Sequence, residues 1–244
     1  MSAVLAVMRR ELRSYFVTPL AWVFGMIFLI LAGALTFYLG HFYERGQADL
    51  QPFFNFHPWL YLFLVPALSM QMWAEERKRG TLELLLTLPV TITQAMLGKF
   101  FAAWIFVALV LALTFPIWLT VNYLGNPDNG VILAGYLGSL LMAGAYLAVG
   151  CCMSTLTRSQ VVAFVLTAAV CFVLLLAGQP LVLDAASGFL PASLVQAVSD
   201  MSFLQHFAAI ARGVLDVRDM IYFVLSIVFW LTVGVVMLDM RRAN

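Results

Sequence analysis

The chain has 244 residues, 64% of them hydrophobic and only 10% charged, with a formal net charge of +1 and a mean hydropathy of +0.98. A soluble domain carries about 25% charge, so composition places the chain in the membrane class. The near-neutral balance gives no signal for a nucleic-acid partner. The three cysteines, Cys151, Cys152 and Cys171, lie in apolar runs without metal or disulfide spacing and read as small packing residues.

Residues 3–16 come first. Val4, Leu5, Met8, Leu12, Tyr15 and Phe16 recur at helical spacing, with Arg9, Arg10, Glu11, Arg13 and Ser14 filling the rest. This is the pattern of an amphipathic helix lying in the membrane interface, its arginines directed to lipid headgroups. The alternative, a continuation of the first span, fits the charges less well. The apolar run that follows is too long for a signal-peptide core and ends in no cleavage site.

Six spans are expected, at 18–40, 58–74, 98–120, 131–153, 160–178 and 220–238, each near the length a bilayer requires. Pro66 and Pro116 fall inside the second and third and should kink them. Thr91-x-x-Gln94 and Ser202-x-x-Gln205 read as capping boxes, the second opening a short helix that Gly213 closes. Lys99 should snorkel to the inner interface. Gly135, Gly138, Gly144 and Gly150 are expected to give the fourth span one face small enough for close helix approach. Residues 179–219 are too interrupted to span, by Pro180 and Pro191 among others, and suit short helices packed on protein in the outer leaflet.

The densest charge lies at 75–90, between the second and third spans. Gly80 can end the incoming helix in a left-handed cap. Thr81 then reads as an N-cap with Glu83 in the first turn, and Pro89 as the stop. Six spans with the amino terminus inside put ten of the thirteen Lys and Arg residues on the inner side, leaving Arg45, Arg212 and Arg218 outside. Both termini are therefore expected in the cytoplasm. No span centre carries a charge, which argues against a relay of buried acids.

Enzyme signatures are missing from the sequence. Gly98-Lys99 lacks the upstream glycine of a phosphate-binding loop and is followed by Phe100. No G-x-S-x-G or H-E-x-x-H occurs. His41, His57 and His206 read as isolated interfacial or turn residues on outward segments.

The stretch Glu76 to Pro89 resembles the E-x-x-x-G-T-L-E-x-L-L-T-x-P segment of ABC-2-type transporter permeases. The layout of interfacial helix, six spans and broken outer segment is similar to that family along the whole chain. Residues 206–223, with His206, Arg212, Gly213, Asp216 and Asp219, look like the gliding-motility-associated, GldF-like subgroup.

The resemblance implies an all-α integral membrane protein forming a single ABC-2-type domain over 1–244. Six transmembrane helices would be joined by a cytoplasmic coupling helix at 75–90, with broken outer helices at 179–219 before the last span. It implies a permease that binds no cofactor itself. Two copies, or one copy and a close homologue, would form an export pathway, with ATP and Mg on separate ATPase subunits. Glu75, Glu76, Arg77 and Arg79 would pair with ATPase charges, while Leu82, Leu85 and Leu86 would fill its groove. Membrane lipids and a periplasmic or extracellular accessory protein complete the expected partners, in a bacterial inner membrane.

Two other readings compete. A mechanical or regulatory subunit driven by an ABC ATPase would show no polar groove between protomers and an ATPase indifferent to substrate. An intramembrane enzyme would need a nucleophile and base at one depth, and no apolar span contains a histidine.

Overall fold

A computed structural model describes residues 3–80, 90–188 and 191–242, and among these every regular element is helical. The amino-terminal helix α1 (Ala3–Val17) turns through Thr18 into α2 (Pro19–Ala34), which starts on a proline and ends in a π-helical turn, Leu35–Leu39. Then come α3 (Gln51–Ser69), α4 (Gln71–Arg79), α5 (Ile92–Ala112), α6 (Phe115–Leu124), α7 (Asn129–Leu156) and α8 (Gln160–Leu176). Three short helices follow, α9 (Pro180–Ser187), α10 (Ala192–Ser199) and α11 (Phe203–Ala211), before α12 (Val217–Arg242).

Among the described residues, four segments are long and apolar enough to cross a membrane: Ala21–Leu39, Ile92–Leu124, Asn129–Leu156 and Val217–Met240. Of the other two expected spans, α8 is apolar but shorter. The second begins earlier than its predicted start, at Gln51, and is interrupted at Met70, one turn after Pro66. Pro66 itself lies inside α3, and the Met70 N–H still reaches the Pro66 carbonyl at 2.9 Å, so that break does not follow from the missing proline donor. Pro116 cannot donate to the Ala112 carbonyl, and there the third span breaks into α5 and α6. The Thr114 hydroxyl bridges that break, 2.6 Å from the Leu111 carbonyl and 2.9 Å from the Tyr136 hydroxyl.

Helix α7 is the axis of the bundle, packed by α3, α4, α5, α8, α11 and α12. Gly135, Gly138 and Gly150 share the small face that the sequence reading expects, within about 120° of one another, and Gly144 lies on the opposite side. Gly135 meets Phe54 of α3, Gly138 meets Ile210 of α11, Gly144 meets Trp104 of α5 and Ile227 of α12, and Gly150 meets Ser69 of α3. A helix surrounded by neighbours needs small residues on several sides. Cys151, Cys152 and Cys171 are buried free thiols, as their apolar setting requires.

The two ends of the bundle differ in character. At one end sit α1, the close of α4, the start of α5 and the close of α7, joined by ionic and hydrogen bonds. At the other, Gln51 Nε2 donates to the Ala211 carbonyl at 2.6 Å, and Gly213 lies against Val131.

Candidate functional site

The site begins with a close approach of two helices. Gly98 on α5 faces Val7 and the Val4 carbonyl of α1; a Cβ there would stand 2.7 Å from the Val7 Cβ. That proximity brings the next residue, Lys99, under α1. Thr91 fixes where α5 starts: its hydroxyl accepts from the Gln94 backbone at 3.2 Å, and Gln94 Oε1 accepts from the Thr91 N–H at 3.1 Å.

Lys99 does not snorkel to solvent. Its side chain is 4% exposed, and Nζ lies 2.9 Å from Glu76 Oε1 and 3.3 Å from Glu11 Oε1. Trp73 offers its ring face 5.2 Å away. An ammonium this deep needs carboxylates within reach, because removing it from water unpaired costs several kcal/mol. Three helices supply the group: α1 gives Glu11, α4 gives Glu76 and α5 gives Lys99. Arg10 extends it, 2.6 Å from Glu11 and 3.8 Å from Glu76. Burial alone would raise the Glu11 carboxyl, but the charges of Lys99 and Arg10 and their hydrogen bonds hold it below its ordinary value of 4.5.

The remaining charges of α4 divide between inside and outside. Arg77 donates to the Thr155 carbonyl at 2.6 Å, a contact with the carboxyl end of α7, where carbonyls lack helical partners. Glu75 pairs with Arg79 at 2.6 Å one turn on, and the Arg79 side chain is 70% exposed. Arg9 and Arg13 are exposed on α1. Gly80 ends α4 at φ +70, in the left-handed cap that its sequence position predicts, with its N–H bonded to the Glu76 carbonyl. Thr81, Leu82, Glu83, Leu85, Leu86 and Pro89 lie outside the described residues. Beside α4 a cavity of about 350 Å3 opens beneath α1, walled by Glu11, Glu75, Glu76, Arg79 and Lys99 with Ser14, Thr18 and Gln71.

At the opposite end the residues of 179–219 form a second cluster. Pro180 opens α9 and Pro191 is the N-cap of α10. His206 Nδ1 lies 2.6 Å from Asp219 Oδ1 and Nε2 lies 2.9 Å from the Asp200 carbonyl, with the ring stacked 3.9 Å from that of Tyr222. The Ser202 hydroxyl accepts from the Gln205 N–H at the start of α11, half of the expected capping box; the Gln205 side chain instead donates to the Gly178 carbonyl and accepts from the Ser199 hydroxyl. Arg212 is the C-cap, and Gly213 adopts φ +86 just beyond. Asp216 accepts from the Arg218 N–H where α12 begins. Thus His206 and Asp219 come together, whereas Pro180 and Pro191 serve separate helix starts.

His57 departs from its expected place. It is fully buried inside α3, because that helix starts six residues before it. Its Nδ1 lies 2.9 Å from the Ser139 hydroxyl, which also meets the Tyr61 hydroxyl at 2.7 Å. Neither this group nor the Lys99 group was read from sequence. The usable signals were Glu11 on an otherwise apolar side of α1 and a lysine immediately following a glycine in an apolar run.

The model of the family described as ABC-2 family transporter protein matches residues 5–241. The chain belongs to that family. No curated protein matches it. This ABC-2 family chain is thus a multi-pass membrane protein and a permease component, of a family whose members generally work with an ABC ATPase.

Proposed function

We propose that this chain is the permease subunit of an ATP-driven exporter and that residues 75–90 couple it to a separate ATPase subunit. The observation that carries the reading is the Lys99 group. It binds α1, α4 and α5 into one unit at the point where α4 ends in the left-handed Gly80. Force applied to the chain after Gly80 would reach α4, α5 and, through Arg77, the central helix α7. In this reading Glu75 and Arg79 dock on the ATPase together with the coupling segment from Thr81 to Pro89. Glu76 and Arg77 act chiefly as inward anchors rather than as charges offered to the ATPase.

In this reading six spans cross a bacterial inner membrane with both termini in the cytoplasm, and two permease copies enclose the pathway. ATP and Mg reside on the ATPase. Residues 179–219 cap the outer side, where an accessory protein would dock, and the chain falls in the GldF-like subgroup. The test is a cysteine at Leu84 in a chain lacking Cys151, Cys152 and Cys171, crosslinked in membranes holding a candidate ABC ATPase. A crosslink whose yield changes with nucleotide is expected. Its absence with a folded, bound ATPase would overturn the coupling assignment.

A further inference from the structure

His206 meets an oxygen at each of its ring nitrogens. Nδ1 lies 2.6 Å from Asp219 Oδ1, and Nε2 lies 2.9 Å from the Asp200 carbonyl oxygen. An ionised carboxylate only accepts, and a carbonyl never donates. A neutral imidazole has one N–H and one lone pair, so it can serve one oxygen and must turn its lone pair on the other. A ring protonated at both nitrogens makes both bonds. Placing the extra proton on Asp219, to donate back to Nδ1, gives the same total. Either way, the closed pair holds one proton more than a neutral histidine beside a carboxylate.

The surroundings suit that proton. Asp219 lies in the first turn of α12, where unpaired N–H groups favour negative charge. Tyr222 stacks on His206 with ring centres 3.9 Å apart, offering its face to a cation. The Asp200 carboxylate accepts from Gln196 at 3.1 Å. Arg212, Asp216 and Arg218, where α11 ends and α12 begins, are exposed. Of the other helices packed on α11, α7 and α8 carry no Asp, Glu, Lys, Arg or His, and α3 carries only His57, which is bonded to Ser139. The α7 phenols, Tyr136 and Tyr146, are bonded to Thr114 and to the Pro58 carbonyl. The His206 and Asp219 side chains are 15% and 14% exposed, so the proton can exchange with water.

We propose that this clasp is a proton-operated latch: one proton taken from the medium closes the turn between α10 and α11 onto the base of α12, and its return to water releases the turn. The Asp200 and Met201 carbonyls are the points of attachment, one held by His206 and the other by Tyr222. Because the closed latch binds one proton more than the open one, closure is favoured as pH falls and lost as pH rises. Histidine changes charge between about pH 5 and pH 8, which sets the range to search. The latch needs only these contacts, and neither the ATPase nor a direction of transport.

The test is amide hydrogen exchange of the full chain in detergent across that range, expressed as protection factors so that the intrinsic acceleration of exchange with pH cancels. Protection over residues 200–212 should fall about tenfold from the acid to the alkaline end, as expected for loss of a charged hydrogen bond, while α7 keeps its own. His206→Gln, which can donate but does not titrate, should show no such fall. With nitrogen-15 in its three histidines, the wild-type chain should show one ring protonated at both nitrogens at the acid end, a signal absent from His206→Gln. Wild-type protection that ignores pH, the same fall in His206→Gln, or a singly protonated His206 in a turn that stays protected would each overturn the proposal. Should His206→Gln not fold, the wild-type exchange curve still decides. The coupling assignment stands or falls separately, on the Leu84 crosslink.

Discussion

Lys99 Nζ and Glu76 Oε1 lie 2.9 Å apart with the lysine side chain almost wholly buried, so a largely buried ion pair joins α5 to α4. Removing one partner of such a pair leaves the other uncompensated, at a cost of about 3–5 kcal/mol. Lys99→Ala should therefore lower the melting temperature in detergent more than an exposed change such as Arg13→Ala. Tryptophan fluorescence follows this directly, since Trp73 stands beside the ammonium. Replacing the whole group, with Lys99→Met, Glu11→Gln and Glu76→Gln together, should recover part of the loss, because no unpaired charge remains. A triple variant no more stable than Lys99→Ala would show that packing, not charge, holds these helices.

The third member of the group predicts a pH response. Glu11 titrates below its ordinary 4.5 while docked against Lys99. Docked α1 thus binds fewer protons than released α1, so stability must fall as pH falls. The Glu11 contribution is fully present above about pH 4.5 and disappears as pH drops through the depressed value. Other carboxylates add to the wild-type curve. The difference between wild type and Glu11→Gln isolates this one, and it should shrink as the medium becomes more acidic than 4.5. A constant difference across that range would contradict the assignment.

Packing around α7 supplies a third prediction. A Cβ on Gly150 would stand 2.0 Å from Ser69 Oγ and 2.5 Å from Ser69 Cβ, where α3 crosses α7. Gly150→Ala should destabilise by about 1–3 kcal/mol, the usual cost of forced overpacking. Ser69→Gly removes both clashing atoms. The double variant should be more stable than the sum of the two single effects allows, and a double-mutant cycle in detergent measures the difference. Additive effects would place the strain elsewhere.

What could be read from the sequence depended on range. Gly80, the Thr91–Gln94 box and the Ser202 cap are local devices, set by residues within one turn, and the structure holds them where their spacing puts them. Pro116 marked a real interruption for the same reason, whereas α3 runs on through Pro66. Lys99 and His57 were misplaced because their partners are distant in sequence: Glu11 and Glu76 for one, Ser139 for the other. A lone polar residue near a span end looks interfacial until the fold brings a partner to it. Gly144 departs similarly from the face of Gly135, Gly138 and Gly150, since helical spacing cannot tell how many neighbours a helix has.

The outer cluster gives the last prediction. His206 on α11 reaches α12 through Asp219 at 2.6 Å, and it also meets the Asp200 carbonyl and stacks on Tyr222. Tyr222 in turn donates to the Met201 carbonyl at 2.5 Å. These contacts fasten the turn between α10 and α11 to the base of α12. His206→Ala removes two hydrogen bonds and a ring contact, worth about 1–3 kcal/mol where the partners are left unsatisfied. Amide hydrogen exchange should accelerate over residues 200–212 while α7 keeps its protection, since local opening draws on the least supported elements first. If residues 179–219 cap the pathway, the same variant should raise ATPase turnover without substrate in the assembled complex, because a looser cap opens at lower cost. Faster exchange with unchanged turnover would leave the clasp intact as a structural device and remove its role as a gate.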